Sequence, residues 1–252
     1  IAAKYVRPFP GAEEMLQGGE RWCLWLPEVT PQDIRASKVL SSRLEKVREA
    51  RSKSPTPAFR KAAETPYLFT HRKHPDTAFL AIPTTSSSNR DYIPARYYDE
   101  NTIASNKLTL IPDCPLWIFG VLESSMWMSW TETFAGRLKS DYNVTADLQY
   151  NAFPWPAMTE SEKARLEELA QRVLDAREAH PGATLADLYD RIAMPPDLRA
   201  AHHAMDECVE ALYGLKGSST EAERLRALLK RYEELSTADQ LPMKAVKSRS
   251  KK

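Results

Sequence analysis

The chain has 252 residues and a formal net charge of +1, long enough for one large domain or two smaller ones. Hydrophobic residues make up 42% and charged residues 27%, a composition that builds a core and excludes a disordered polyelectrolyte. No stretch reaches the roughly 18 consecutive apolar residues that a membrane-spanning helix requires, so no membrane partner is expected. The charge is uneven. Residues 35–73 hold eleven Lys and Arg against three Glu, and residues 244–252 add five Lys or Arg and no acid. Such a local field attracts polyanions even in a near-neutral protein. Cys23, Cys114 and Cys208 are too few and too far apart for a disulfide framework or a zinc site, which fits a reducing, cytoplasmic setting. The chain starts at Ile1 without Met or an apolar leader, so it is expected to be a piece of a larger protein with no signal peptide.

In chain order, Gly18-Gly19 predicts a turn and Arg21-Trp-Cys-Leu-Trp-Leu a strand that Pro27 ends. Pro31 and Asp33 suit the start of a helix in which Leu40, Leu44 and Val47 recur at helical spacing. Its other face carries Lys38, Arg43, Lys46, Arg48 and Arg51, and the prolines at 55 and 57 break it. Residues 65–98 read as short strands around Tyr67-Leu-Phe, Ala78-Phe-Leu-Ala-Ile and Asp91-Tyr-Ile, with a further strand within 102–110. Residues 115–138 read as one long helix whose stripe Leu122, Met126, Trp130 faces the core.

Asn151-Ala-Phe-Pro-Trp-Pro reads as a stiff linker, placing a domain boundary at Pro156. Three helices and a short helical turn follow. Thr159 and Glu162 form a capping box, Thr184 and Asp187 repeat the pattern, Pro195-Pro196 opens a helix that Gly214 closes, and Ser218 with Glu221 caps the last. The expected fold class is α+β: a mixed or antiparallel twisted sheet with packed helices, then a small C-terminal helical bundle. The expected divisions are 1–156, 157–238 and a flexible basic tail at 239–252.

No catalytic motif emerges. The sequence lacks a P-loop, a G-x-G-x-x-G fingerprint, H-E-x-x-H, C-x-x-C and G-x-S-x-G. His71 and His74 flank Arg72 and Lys73, cations that would repel a metal ion, so this segment reads as a basic loop suited to phosphate. His202 and His203 are adjacent on a helix, point in different directions and read as structural or exposed. Ser87, Ser88, Asn89 and Arg90, then Asn106 with Lys107, then Arg137 with Lys139, form polar clusters of the donors that contact phosphates and base edges.

The run from Phe119 to Trp130, then Gly136-Arg-Leu-Lys-Ser-Asp-Tyr and Tyr150-Asn-Ala-Phe-Pro-Trp-Pro, resembles the type IIL restriction–modification enzymes of the MmeI-like group. So do Arg7-Pro-Phe, Arg21-Trp-Cys-Leu-Trp, Ser87-Ser-Asn-Arg with Tyr92-Ile-Pro, Thr184-Leu-Ala-Asp-Leu-Tyr-Asp and Met194-Pro-Pro-Asp-Leu-Arg. The resemblance covers nearly the whole chain in the same order. It implies a target-recognition domain and helical tail from a larger polypeptide that also holds a nuclease and an adenine-N6 DNA methyltransferase.

That polypeptide would use S-adenosylmethionine and Mg, with no cofactor or catalytic residue expected in this chain. The implied partners are double-stranded DNA and the methyltransferase domain of the same polypeptide. Base reading is implied between residues 71 and 107. The expected DNA-binding set is Lys38, Arg43, Lys46, Arg51, Arg72, Lys73, Ser87, Ser88, Asn89, Arg90, Asn106, Lys107, Arg137 and Lys139. The alternative is a docking module that braces the methyltransferase without reading DNA.

Overall fold

The computed structural model describes residues 1–72 and 74–239; Lys73 and the expected basic tail from residue 240 lie outside the described residues. In chain order the elements are β1 (Val6–Pro8), α1 (Ala12–Gln17), β2 (Trp22–Leu24), α2 (Pro31–Ala36), α3 (Lys38–Ser52), α4 (Pro57–Lys61), β3 (Phe79–Pro83), β4 (Thr85–Ser86), β5 (Arg96–Tyr98) and β6 (Leu108–Pro112). Then come α5 (Leu116–Leu122), α6 (Ser125–Phe134), β7 (Gly136–Leu138), β8 (Asp141–Asn143), a π-helical turn (Ala146–Asn151), α7 (Glu160–Glu178), α8 (Leu185–Leu188), α9 (Pro196–Leu212) and α10 (Glu221–Asp239). Mixed sheets with packed helices, followed by a helical bundle, are the expected fold class. Among the described residues no helix is long and apolar enough to cross a membrane.

The chain packs as two compact units. The first comprises Ile1–Thr85, Pro94–Cys114 and Ala183–Asp187. Its central sheet is antiparallel in the order β5-β3-β6, with Leu80 opposite Tyr97 and Ile111. Every residue of β3 is buried, which accounts for its unbroken apolar sequence. Met15 and Leu16 of α1 pack with Phe79, Ala81 and Leu108. A second cluster joins Tyr5, Leu26, Leu40 and Leu44.

The helix expected from Pro31 is two helices. Ser37 leaves the helical conformation (φ −116°, ψ 106°) and its hydroxyl accepts the Leu40 N–H, so it caps α3. The strand expected at Asp91-Tyr-Ile is irregular backbone, and the edge strand is β5 instead.

Among the described residues, the second unit comprises Ser86–Ile93, Pro115–Gly182 and residues 188–239. Its core includes Phe119, Leu122, Met126 and Trp127 from α5 and α6, Leu166 and Val173 from α7, Leu198, Met205 and Val209 from α9, and Leu228 from α10. Trp130 lies in this core at 4% exposure, as its spacing predicts, and its indole N–H donates to the Leu148 carbonyl at 2.9 Å.

The long helix expected over 115–138 is broken at Glu123-Ser124 and ends before Gly136. The Ser124 hydroxyl donates to the Val121 carbonyl at 2.7 Å and accepts the Trp127 N–H, ending one helix and capping the next. The capping boxes at Thr159–Glu162 and Thr184–Asp187 form as the sequence predicts. The last is displaced: Thr220 and Glu223, not Ser218 and Glu221, exchange the capping hydrogen bonds of α10. Ser218 instead adopts a left-handed φ of 50° in the preceding turn.

Candidate functional site

In the first unit the candidate site is the cationic side of α3 and the cleft near residues 69–74. Lys38, Arg43 and Lys46 are exposed, and none makes an ion pair or side-chain hydrogen bond among the described residues. Arg48 and Lys53 are instead tied to Glu45 and Glu49 on the same helix. Exposed pairs of this kind contribute little stability, but they cancel charge that a polyanion would otherwise meet.

Arg51 differs from the other three expected residues of α3. Its spacing from Leu40, Leu44 and Val47 continues their helical recurrence, which puts it on the buried stripe. Its guanidinium donates to the carbonyls of Ala62 at 2.9 Å, Thr65 at 3.1 Å and Leu68 at 2.8 Å. Burial pulls its pKa below the usual guanidinium value, yet the rigid fork of N–H donors keeps it suited to carbonyls. Arg51 thus clasps the segment that leads to Arg72.

Arg72 and Asn106 line one cleft of about 700 Å³ together with Phe9, Trp25, Phe69 and His74. Lys107 is exposed beside it in sequence, and its carbonyl accepts from the N–H and hydroxyl of Thr84. His74 departs from the basic loop expected of it. Its ring packs edge-on to Trp25 at 5.9 Å and Phe79 at 5.6 Å, and its Nε2 lies 3.1 Å from the Glu100 carbonyl. It is an aromatic wall residue, while Thr70, His71 and Arg72 are exposed polar groups next to it in sequence.

The second unit holds the remaining expected residues at one small sheet with strand order β4-β8-β7. Ser87, Ser88, Asn89 and Arg90 form the turn leaving β4, and the Asn89 N–H donates to the Ser87 hydroxyl at 3.2 Å. Arg137 and Lys139 belong to the β7–β8 hairpin, in which Leu138 faces Asp141 across a two-residue tip. Lys139 takes a left-handed φ of 58° there, as tight hairpins demand. The Arg137 guanidinium stacks over the Tyr142 ring at 4.0 Å. Arg90 is partly buried; desolvation lowers its pKa, and the fields of Asp141 and Asp190 oppose that shift.

Groups outside the expected DNA-binding set anchor this turn. Arg191 Nε donates to Asp91 Oδ1 at 2.7 Å and Arg199 reaches Asp91 Oδ2 at 3.5 Å. The Tyr92 hydroxyl donates to Asp206 Oδ2 at 2.7 Å, and its ring stacks on His202 at 4.1 Å. Asp206 also accepts the Ser125 N–H at 2.6 Å. Burial and the Asp206 charge push the Tyr92 phenol far above its ordinary pKa. Deeper in, the Tyr189 hydroxyl donates to Glu123 and lies 2.8 Å from His202 Nε2, and Arg177 donates to both Glu123 and Tyr189.

Among the described residues no group of three or more His, Cys, Asp or Glu is placed to hold a metal ion. The polar groups are donors on exposed turns and one helix face, an arrangement that fits an anionic surface.

Comparison with known proteins agrees with this geometry. The family described as "MmeI, target recognition domain" matches residues 1–157, and "MmeI, C-terminal domain" matches residues 158–239. The chain is 38% identical over 231 residues to DNA methyltransferase A of Bacillus subtilis (strain 168), covering 92% of this chain and 26% of that protein. It is also similar to the solved structure of the type IIL restriction–modification enzyme MmeI in complex with DNA, with a TM-score of 0.91 and 40% identity over 94% of this chain and 32% of that one. It therefore spans about a quarter to a third of the length of these relatives. With its larger part matched by the first of those families, the chain belongs to the MmeI target-recognition domain family.

Proposed function

We propose that this chain is the sequence-specific DNA-recognition part of a larger MmeI-like protein that both methylates adenine in DNA and cleaves it. The observation that carries this reading is the 0.91 TM-score, at 40% identity, to an enzyme solved in complex with DNA. Recognition divides into two tasks. Lys38, Arg43 and Lys46 grip phosphates, with Arg72, Lys73 and Lys107 adding to the same electrostatic attraction. Ser87, Ser88, Asn89, Arg90, Asn106, Arg137 and Lys139 supply donors to base edges and the adjoining backbone. Arg51 contributes by fixing the course of residues 62–68.

Residues 1–156 carry the reading surface and residues 157–238 the helical support. Methyl transfer and cleavage belong to other parts of the longer protein, which use S-adenosylmethionine and Mg. A groove of about 550 Å³ in the first unit is lined by exposed Trp22 and Val39 and also by Arg43, so it borders the phosphate-gripping side of α3. Binding-site selection from a random duplex pool tests the function. Enrichment of one short motif is expected; a selected pool indistinguishable from the input contradicts it.

A further inference from the structure

One face of α9 is polar where a helix packed in a bundle is normally apolar. Arg199, His202 and Asp206 lie at i, i+3 and i+7, a single helical stripe. All three side chains reach the same two residues. Arg199 approaches the Asp91 carboxylate, the His202 ring lies under the Tyr92 ring, and Asp206 accepts the Tyr92 hydroxyl. Arg191, just before the helix, adds the shorter contact to Asp91, and Arg199 also donates to the Arg191 carbonyl at 3.0 Å.

Asp91 and Tyr92 directly follow Arg90, the last residue of the Ser87–Arg90 turn. The other end of that turn is fixed by buried Ser86 in β4. The turn is therefore held on both sides, while Asn89 at its tip is exposed.

We propose that the α9 stripe is a positioning device for DNA reading, which holds the Ser87–Arg90 turn in the geometry that discriminates among bases. Asp206 and His202 set the turn through Tyr92, and Arg191 and Arg199 set it through Asp91. This rests on the DNA-reading function proposed above and assigns part of its specificity to helices that touch no base.

The physical reason is one of scale. Base discrimination depends on donors placed to within hydrogen-bond tolerance, whereas phosphate attraction acts through a diffuse field and tolerates movement. Loss of an anchor behind the turn should thus lower discrimination more than it lowers affinity. Asp206 is suited to the role because its two oxygens bind two elements. Oδ2 takes the Tyr92 hydroxyl and Oδ1 the Ser125 N–H that opens α6. The carboxylate registers the turn against the body of its own unit.

The experiment uses the full chain and Tyr92→Phe, which removes the hydroxyl but keeps the ring on His202. Three quantities are measured: affinity for the duplex selected by the unaltered chain, affinity for a scrambled duplex at the same salt, and amide exchange of residues 87–90. Tyr92→Phe is expected to bind scrambled DNA within about twofold of the unaltered chain and to lose about tenfold in the selected-to-scrambled ratio, the scale of one misread base pair. Exchange in the turn should accelerate while α6 and α9 keep their protection. A purely structural role would instead weaken both affinities alike and leave their ratio unchanged.

Asp91→Asn, at a half-exposed site, carries the same expectation if Tyr92→Phe does not fold. If the unaltered chain discriminates and the folded variant discriminates equally, the positioning role is overturned and the DNA-reading function stands. If the unaltered chain itself shows no preference, that function is overturned and this inference with it.

Discussion

Arg177 donates to Glu123 at 2.6 Å in a site where the two side chains are 9% and 0% exposed. Burial opposes the Arg177 charge, but Glu123 and Tyr189 outweigh it and hold the guanidinium pKa above its ordinary value. Because neither charge can reach bulk water, the pair survives only as a pair. Arg177→Met leaves Glu123 buried without its counter-charge and should destabilise the chain by about 3–5 kcal/mol. Urea denaturation measures this, and a loss below about 1 kcal/mol would mean that the site admits water.

His202 sits in the same network, and burial, followed by the Arg177 charge, drives its pKa well below 6.5. The neutral ring is thus the folded form. The unfolded chain takes up a proton as pH falls through about 6.5, and the folded chain does not, so stability present above that pH is lost below it. The slope approaches about 1.4 kcal/mol per pH unit from this one group. Urea midpoints compared between about pH 7.5 and 5.5, on either side of that value, should fall for the unaltered chain and fall less for His202→Gln. Equal slopes would remove His202 as the cause.

Gly120 marks a close approach of α5 and α7. A Cβ there would lie 2.9 Å from both Cγ and Cδ1 of Leu166, which is fully buried. Gly120→Ala should cost about 1–3 kcal/mol through overpacking, more than the gain from a better helix former. Thermal melting of Gly120→Ala and of Gly120→Ala with Leu166→Ala checks the cause, since the second change should recover part of the first loss only if the clash is with Leu166.

The cations of α3 make a separate prediction. Reversing Lys38, Arg43 and Lys46 to Glu should lower the dependence of log affinity on log salt by about 0.9 for each phosphate no longer neutralised. The measurement is a titration of one duplex at several salt concentrations. An unchanged slope would remove α3 from the DNA-facing surface.

Much of the fold is legible in the sequence because its signals are local. The buried strand Phe79–Pro83, the capping box at Thr159, and Pro196 opening α9 follow from neighbours in sequence. The break at Glu123-Ser124 is hidden because it lies between Leu122 and Met126 of one helical stripe, whereas Ser37 lies ahead of the Leu40, Leu44, Val47 stripe and is a residue type that caps helices. The break at Glu123 coincides with its ion pair to Arg177, 54 residues away, a partner that no local pattern announces.

The candidate site divides the same way. Residue type alone suggests an outward cation at Arg51, although its spacing from Leu40, Leu44 and Val47 already places it on the buried stripe. The Arg199, His202, Asp206 stripe is also present in the sequence. Its meaning is not, because its partners Asp91 and Tyr92 lie more than 100 residues earlier, and no local pattern joins them.

The most direct test of DNA reading is an equilibrium competition between the selected duplex and its single-base-pair variants at fixed salt. Substitutions at the read positions should each weaken binding by about 1–3 kcal/mol, while changes outside the motif should not. Equal competition by every variant, with affinity governed by salt alone, would contradict DNA reading.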